Sequence, residues 1–326
     1  MNRKFPGEQK SLRRKKTISR FIFITVSLLI VLVVWFWKDI TGTSRWNGQR
    51  RISLVVDASP IVLISLDMYN REAAILAIPV DSYLDVPFGY GPYKAGSVYK
   101  LGELDVKRGG GELLSETITD VFGAPIEGYI HKSDGFSIQI QTLEDFKTWR
   151  KQFFGLNNLV NLGGINTNLT LSELIRLYLS ISSLRSDQFT FINLASENIV
   201  DKIILADGSG VLQIDPVKLD KTLEGLFNEK EMVKDHLSIA VMNATQEAGV
   251  GVKVARLIAN MGGRVVMVGN FDKNISSRCL VKVASSFKDS YTVGRLLYVF
   301  GCGSIMEADA NSQSDVTIVI GERYLK

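Results

Sequence analysis

The longest apolar run of the chain covers residues 21–37 (FIFITVSLLIVLVVWFW), seventeen residues without a charge, a proline or a glycine. As a helix this run is about 26 Å long, which is near the lower limit for crossing the hydrocarbon core of a bilayer. Eight basic residues and one acidic residue precede it, and Trp35 and Trp37 lie at its other end, where aromatic rings favour the headgroup layer. The pattern predicts one N-terminal transmembrane helix, with its N-terminus cytoplasmic and the folded part extracytoplasmic at a cell membrane. A cleaved signal peptide fits less well, because no small-x-small cleavage site follows the run.

Residues 1–20 are therefore expected to form a basic cytoplasmic tail and residues 38–51 a polar linker. The next region has nearly continuous apolar runs (RISLVVD, IVLISLD and AAILAIPVD), which predict strands of a sheet covered on both faces. Helical periodicity follows over residues 111–123, 143–155 and 171–184, and a shorter helical piece is expected at residues 95–101. Gly123 is expected to end the first of these helices, and Thr170 with Glu173 forms a capping box at the start of the third. Residues 52–228 are thus predicted to be an α/β core, a mixed sheet covered by helices.

The last part of the chain repeats strand and helix signals on a smaller scale. Residues 229–236 are a charged linker, and residues 237–326 show the order β-α-β-β-α-β. This order predicts a small α+β domain built on a split βαβ unit.

Charge and rare residues limit the function classes. The whole chain carries +4, but residues 1–20 alone carry +7, so the remainder carries −3. A net acidic folded part argues against nucleic-acid binding, and the basic tail fits a topology signal that contacts anionic lipid. The two cysteines, Cys279 and Cys302, are too few for a disulfide framework, and whether they pair is left open. The two histidines, His131 and His236, are expected at isolated surface or linker positions rather than as metal ligands.

Motifs for common catalytic sites are missing from the sequence. No Ser-His-Asp set and no Walker loop can be identified. Gly249 and Gly251 lie between a predicted strand and a predicted helix, as in a dinucleotide-binding loop. Val254 stands where the third glycine of that fingerprint belongs, so a simple tight turn is the better interpretation.

Four segments of the core resemble the LytR–CpsA–Psr family of bacterial envelope proteins. They are AIPVDSYLDV (77–86), YKAGSVYKLG (93–102), FGAPIEGYI (122–130) and TNLTLSELIRL (167–177). The segments VMNAT, GVGVKVARLIANMG and DVTIVIG of the last region resemble the LytR C-terminal domain that often follows such a core. The resemblance implies a membrane-anchored protein of cell-wall assembly, with polyprenyl (pyro)phosphate-linked glycan or peptidoglycan as its partner.

Members of that family transfer a lipid-pyrophosphate-linked glycan to peptidoglycan, with clustered arginines and an acid that holds a divalent ion. This chain departs from the pattern at the charged positions. Asp57 and Val80 stand where arginines are expected, and Ser59 replaces an acid. Neither of the two matching charged residues, Asp81 and Lys94, can grip a pyrophosphate as an arginine fork does.

The resemblance therefore leaves four candidate ligand-binding residues, namely Asp81, Lys94, Tyr93 and Lys100, with Asp81 also a candidate metal ligand. Each has a structural alternative: Asp81 as a turn cap, the lysines as solvated cations and Tyr93 as packing of its own loop. Mg²⁺ is expected only if the chain is an active phosphotransferase, and no other cofactor is implied.

Three hypotheses for function follow, and whether the chain is an enzyme stays open. The first is a cell-envelope protein that binds a polyprenyl-linked glycan or wall components without arginine-based catalysis. The second is an active phosphotransferase whose cations come from Lys100, Lys107 or Arg108. The third is an envelope scaffold that docks a protein partner.

Overall fold

The structure is a computed structural model that describes residues 23–31, 33–34, 46–105, 107–133, 135, 140–153, 164–303, 305–307 and 312–325. By contacts the chain divides into two units. The first comprises Met1–Gly48 with Leu169–Leu179, and the second comprises Gln49–Asn168 with Ser180–Lys326. The predicted core and the predicted C-terminal domain both lie mainly in the second unit.

The predicted transmembrane segment falls only partly within the described residues. Residues 23–31 and 33–34 are helical. None of the helices that the structure describes is both long and apolar enough to cross a membrane. The remainder of residues 21–37, the basic tail and residues 38–45 lie outside the described residues.

In the first unit, Trp46 is held at the start of a helix by the predicted capping box. Thr170 N donates to Glu173 Oε2 at 2.9 Å and Glu173 N donates to Thr170 Oγ1 at 3.2 Å, which confirms the box. The other oxygen of Glu173 accepts a hydrogen bond from Trp46 N at 2.8 Å, and Arg176 Nη1 donates to Trp46 O at 3.0 Å. Both backbone polar groups of this buried tryptophan are thus bonded to side chains of the same helix.

A mixed six-stranded sheet forms the centre of the core, as predicted. The strands of the core region are β1 Ile52–Asp57, β2 Ile61–Asp67, β3 Glu72–Ile78, β4 Ser82–Val86, β5 Gly91–Lys94, β6 Gly128–Lys132, β7 Ile165–Thr167, β8 Phe189–Asn193, β9 Val200–Ile204 and β10 Gly210–Ile214. The large sheet has the order β7-β6-β1-β2-β3-β8. Every residue of β2 is buried, so both faces of this sheet are covered, as its continuous apolar sequence indicates.

Beyond the N-terminal helical residues, the α-helices that the structure describes are α1 Ala95–Glu103, α2 Gly110–Phe122, α3 Leu143–Phe153, α4 Leu171–Ser183, α5 Pro216–Leu223, α6 Lys230–Asp235, α7 Val250–Asn260 and α8 Tyr291–Phe300. The apolar faces of α1 and α2 share one buried cluster with the sheet, which includes Val98, Leu113, Ile118 and Leu63. Helix α2 ends at Gly123, which adopts the left-handed conformation (φ 59°) predicted for its stop signal.

A second, smaller sheet has the order β5-β4-β10-β9 and was not predicted. Residues 82–94 mix glycine, proline and tyrosine, and residues 198–214 mix polar and apolar positions, so their pattern predicts a loop rather than strands. These four strands are short, and β9 is exposed along much of its length. Their apolar positions are therefore too few to show a clear period.

The C-terminal region contains β11 Ser238–Asn243, β12 Arg264–Asn270, β13 Cys279–Val283, β14 Ile305–Glu307 and β15 Val316–Ile320, in the sheet order β12-β11-β15-β13-β14. The predicted strands and helices are present, and the three-residue strand β14 is additional. Strands β11 and β12 pair directly and in parallel. The expectation of a split βαβ unit is therefore wrong, because no strand lies between the two that α7 connects.

Cys279 and Cys302 form a disulfide bond, which answers the question that the sequence left open. The bond connects the first residue of β13 to the chain just after α8. It fixes the end of this helix to the sheet on which the helix packs.

Helix α7 of the C-terminal region caps the end of the core helix α2. The two terminal nitrogens of Arg256 donate to the carbonyl oxygens of Asp120 and Val121, each at 3.0 Å. Asn260 Nδ2 donates to Gly123 O at 3.0 Å. The last carbonyl groups of a helix have no partner within it and carry partial negative charge, so an arginine and an amide are suitable partners there.

A buried charge cluster makes a second connection between the core and the C-terminal region. Arg295 of α8 donates to Glu127 at 2.6 Å and to Glu229 at 2.8 Å, and its side chain is 1% exposed. The second oxygen of Glu127 accepts a hydrogen bond from Ser53 N of β1 at 2.7 Å. One arginine therefore holds the C-terminal region, the start of α6 and the turn before β6 together.

Candidate functional site

Three polar residues lie in one row at the ends of β1, β6 and β7. Asp57 pairs with His131 across the parallel strands β1 and β6, and His131 pairs with Asn166 across the antiparallel strands β6 and β7. Side chains at directly paired positions project from the same face of a sheet. Tyr99 of α1 and Tyr129 of β6 join this row, and we call the five residues the strand-end cluster.

Hydrogen bonds and ring stacking connect the strand-end cluster throughout. His131 Nδ1 lies 2.8 Å from Asp57 Oδ2, and the imidazole stacks on the Tyr99 ring at a centroid distance of 3.7 Å and an angle of 11°. Asn166 Nδ2 donates to the Tyr99 hydroxyl at 3.0 Å. The Tyr129 hydroxyl donates to Asn166 Oδ1 at 3.3 Å. The His131 ring is therefore held at one edge by Asp57 and on one face by Tyr99.

The start of α2 provides the space that the two tyrosines occupy. A Cβ atom on Gly111 would lie 2.2 Å from Cε2 of Tyr129, and one on Gly110 would lie 2.9 Å from Cδ1 of Tyr99. The backbone around Tyr129 is fixed separately, since its N–H donates to Asn168 Oδ1 at 3.1 Å. Glycines at positions 110 and 111 thus allow the helix to approach the cluster closely.

Burial determines the electrostatics of the cluster. Burial raises the pKa of the Asp57 carboxyl, while the hydrogen bond from His131 and the nearby charges of His131 and Lys100 oppose that rise. Burial also raises the pKa of Tyr99 to about 12, so this phenol is neutral at pH 7. The cluster therefore presents one carboxylate, one imidazole, one amide and neutral hydroxyl groups, which is a set suited to polar ligands rather than to polyanions.

The four residues predicted from the sequence lie in two places. Asp81 and Lys94 form an exposed ion pair with Nζ to Oδ1 at 2.9 Å, and Tyr93 is an exposed residue on β5 beside Lys94. Lys100 lies on α1, and its charge acts on Asp57. The structure thus brings Asp81 and Lys94 together and associates Lys100 with the strand-end cluster.

The surroundings of Asp81 do not fit a magnesium site. Its carboxylate already faces the ammonium group of Lys94, and that charge opposes a second cation. Within the described part of the chain, no group of three or more His, Cys, Asp or Glu residues could hold a metal ion.

The arginine considered for a relocated pyrophosphate site already has partners in the structure. Arg108 lies over the Phe88 ring at 3.3 Å and contacts Glu116 at 3.4 Å and Asp105 at 4.0 Å. Lys107 is exposed on the adjoining turn. The guanidinium of Arg108 is therefore engaged by an aromatic ring and two carboxylates.

His131 is the residue that sequence reasoning missed. The expectation of an isolated surface position is wrong, because its side chain is only 23% exposed and is engaged by Asp57 and Tyr99. His236 agrees with its expectation, since it is exposed at the end of α6. Tyr129 and His131 are two residues apart, a spacing that places both side chains on one face of a strand, and this was the one signal available in the sequence.

Comparisons with known proteins point to the bacterial cell envelope. Residues 236–324 match the family model described as LytR cell envelope-related transcriptional attenuator, which confirms the resemblance of the C-terminal region. No curated protein sequence matches the chain.

Solved structures of the family that the core resembles also match. TagT of Bacillus subtilis is 18% identical, with 54% of this chain and 89% of that chain covered and a TM-score of 0.39. TagV of Bacillus subtilis is 14% identical over 53% and 94%, with a TM-score of 0.38. The LytR-CPS2A-psr family protein YwtF (TagT) with bound octaprenyl pyrophosphate lipid is 18% identical over 53% and 88%, with a TM-score of 0.37.

Proposed function

We propose that this chain is an envelope protein of the LytR–CpsA–Psr type that binds a polyprenyl-linked glycan or wall component without arginine-based phosphotransfer. The observation that carries the proposal is the strand-end cluster. Asp57, at a position where the resemblance calls for an arginine, is bound to His131 at 2.8 Å, and Val80 at the other such position has no charge. A pyrophosphate requires convergent cations, and a carboxylate at the same place repels it.

We also propose a single membrane anchor over residues 21–37, with the folded part outside the cytoplasm. The apolar run, its basic flank and its terminal tryptophans support this topology. The Cys279–Cys302 disulfide agrees with it, because structural disulfides persist in oxidising compartments.

An active phosphotransferase remains the alternative function, and one observation weighs against it. The arginine it would use, Arg108, is engaged by Phe88, Asp105 and Glu116. Moving this guanidinium to a ligand would leave two carboxylates without that cation.

Native mass spectrometry of the full-length chain in detergent tests the proposal. Octaprenyl pyrophosphate, the lipid named in one similar structure, and octaprenol, which has the same chain and no phosphate, serve as probes. We expect octaprenol to bind at least as tightly as octaprenyl pyrophosphate, because Asp57 repels the head group, and neither lipid to depend on Mg²⁺. Binding that requires the pyrophosphate and Mg²⁺ would favour the phosphotransferase, and binding of neither lipid would contradict the proposal.

A Val80→Arg variant provides a matched comparison. Val80 is partly buried next to α1, where its carbonyl accepts a hydrogen bond from Gly96 N at 3.0 Å. Replacing it restores one arginine of the family pattern, so we expect a selective gain in affinity for octaprenyl pyrophosphate over octaprenol. An equal change for both lipids would show that position 80 does not face the head group.

A further inference from the structure

The second ring nitrogen of His131, Nε2, does not contact Asp57 and can still form a hydrogen bond. A carboxylate only accepts hydrogen bonds, so the 2.8 Å contact between Asp57 Oδ2 and His131 Nδ1 requires a proton on Nδ1. In the neutral ring the other nitrogen, Nε2, is then an acceptor. Asp57 thus selects the tautomer.

Nε2 is the ring nitrogen of His131 that remains for a ligand. It has no hydrogen-bond partner among the described residues, and it is not one of the buried nitrogen and oxygen atoms that lack a partner there. The side chain is 23% exposed, and Asn166, its neighbour in the row, is exposed. A ligand that approaches the row therefore meets an acceptor nitrogen beside an amide group.

The chemistry of these atoms discriminates between ligand groups. A phosphate oxygen is a negatively charged acceptor. It cannot form a hydrogen bond with Nε2, which is also an acceptor, and the Asp57 carboxylate repels it. A sugar hydroxyl can donate to Nε2 and accept from an amide at the same time. Apart from His131 itself, the described cation whose charge acts on Asp57 is Lys100, which lies at an exposed position on α1.

We propose that His131 Nε2 accepts a hydrogen bond from a hydroxyl group of a bound sugar, and that Asp57 is the positioning residue that keeps Nε2 in the acceptor form. The inference rests on the proposed function and names the part of the ligand that this site recognises. The strand-end cluster selects the glycan of a lipid-linked glycan, not its pyrophosphate.

The tautomer can be measured without any ligand. The chain has two histidines, so the full-length protein with ¹⁵N-labelled histidine gives one signal pair for His131 and one for His236. At pH 7.5 we expect His131 to carry its proton on Nδ1. In Asp57→Asn the amide can donate to Nδ1, so the proton should move to Nε2. A wild-type ring with its proton on Nε2 would overturn the proposal.

Sugar binding is measured in the same spectra with chitotetraose, a soluble oligomer of N-acetylglucosamine, as the probe. We expect the His131 signals to shift and the His236 signals to stay unchanged. Asp57→Asn, and His131→Phe, which keeps a ring against Tyr99, should each bind about tenfold more weakly, as the loss of one good hydrogen bond implies. Asp187→Asn, which changes the same group in an exposed ion pair, is the control and should bind as the wild type does.

The outcomes separate this inference from the proposed function. If octaprenol binds to every variant while chitotetraose affinity falls in Asp57→Asn and His131→Phe, both stand. If octaprenol binds but chitotetraose moves no His131 signal, or binds the variants unchanged, the inference is wrong and the proposed function survives. If no octaprenyl lipid binds, the proposed function fails independently of the tautomer.

Discussion

Replacing Gly111 with alanine tests the packing that positions the strand-end cluster. The added Cβ would lie 2.2 Å from Cε2 of Tyr129 and 2.3 Å from Cδ2 and Cζ. Ordinary contacts begin near 3.4 Å, so the ring must retreat by about 1.2 Å. That movement also removes the hydrogen bond from the Tyr129 hydroxyl to Asn166.

Two effects of opposite sign compete in this variant. Alanine is favoured over glycine in a helix interior by about 1 kcal/mol, and position 111 gains less because it is the second residue of α2. Overpacking a filled interior costs about 1–3 kcal/mol. The second effect is larger, so we expect Gly111→Ala to lower the free energy of unfolding by about 1–2 kcal/mol.

Gly294 provides a matched control within the same chain. It lies in α8 with no atom within 4 Å of an added Cβ, so Gly294→Ala should raise the free energy of unfolding by about 0.5–1 kcal/mol. Urea unfolding of the full-length chain, followed by tryptophan fluorescence, measures both variants; Trp46 and Trp149 are buried reporters in the folded part.

The double variant Gly111→Ala/Tyr129→Ala identifies the cause. With the ring removed, alanine at position 111 should cost nothing or stabilise slightly. An equal cost of alanine at position 111 with and without the Tyr129 ring would contradict a clash with that ring. Stabilisation by Gly111→Ala, as expected for Gly294→Ala, would contradict it as well.

Three further predictions concern the C-terminal region, each measured by urea unfolding. Arg295→Met leaves the buried carboxylates of Glu127 and Glu229 without their cation, so it should cost about 3–5 kcal/mol. Arg185→Met, which breaks the exposed ion pair with Asp187, is the control and should change the free energy of unfolding by less than about 0.5 kcal/mol. Equal losses of stability in Arg295→Met and Arg185→Met would contradict a buried charge cluster. Hydrogen bonds from Ser238 hold the pKa of Asp315 below its ordinary value of 3.8. The ionised carboxylate therefore stabilises the fold at pH values above 3.8, and this stabilisation is lost as the pH falls through the lowered pKa. The deficit of Asp315→Asn should therefore be largest near pH 7 and shrink below about pH 4, and a constant deficit would refute this linkage. Reducing the Cys279–Cys302 bond, which closes a separation of 23 residues, should cost about 3 kcal/mol, and no change in the urea midpoint would count against this.

Long and strongly patterned segments are the part of the fold that sequence could predict. Strands β1 to β3 are continuous apolar runs, and all residues of β2 are buried as that pattern requires. The stop at Gly123 and the capping box at Thr170 were readable because each depends on residues close in sequence. The strands β4, β5, β9 and β10 were not, since each has four or five residues with mixed polarity.

The candidate site depended on register, which local pattern does not contain. Asp57 and His131 are 74 residues apart in sequence and become neighbours only because β1 and β6 pair in parallel at that position. The sequence could show that an acid stands at position 57, but not that a histidine faces it. Arg295 and Glu127, 168 residues apart, were hidden for the same reason.

Binding of a polyprenyl-linked glycan is the property that we propose for this chain. With the membrane anchor that we propose, the chain can be extracted from membranes into nanodiscs without detergent and the co-extracted lipids identified by mass spectrometry. We predict enrichment of a polyprenyl-linked glycan over the bulk membrane, with less enrichment in Asp57→Asn. A lipid composition equal to that of the bulk membrane would contradict the account.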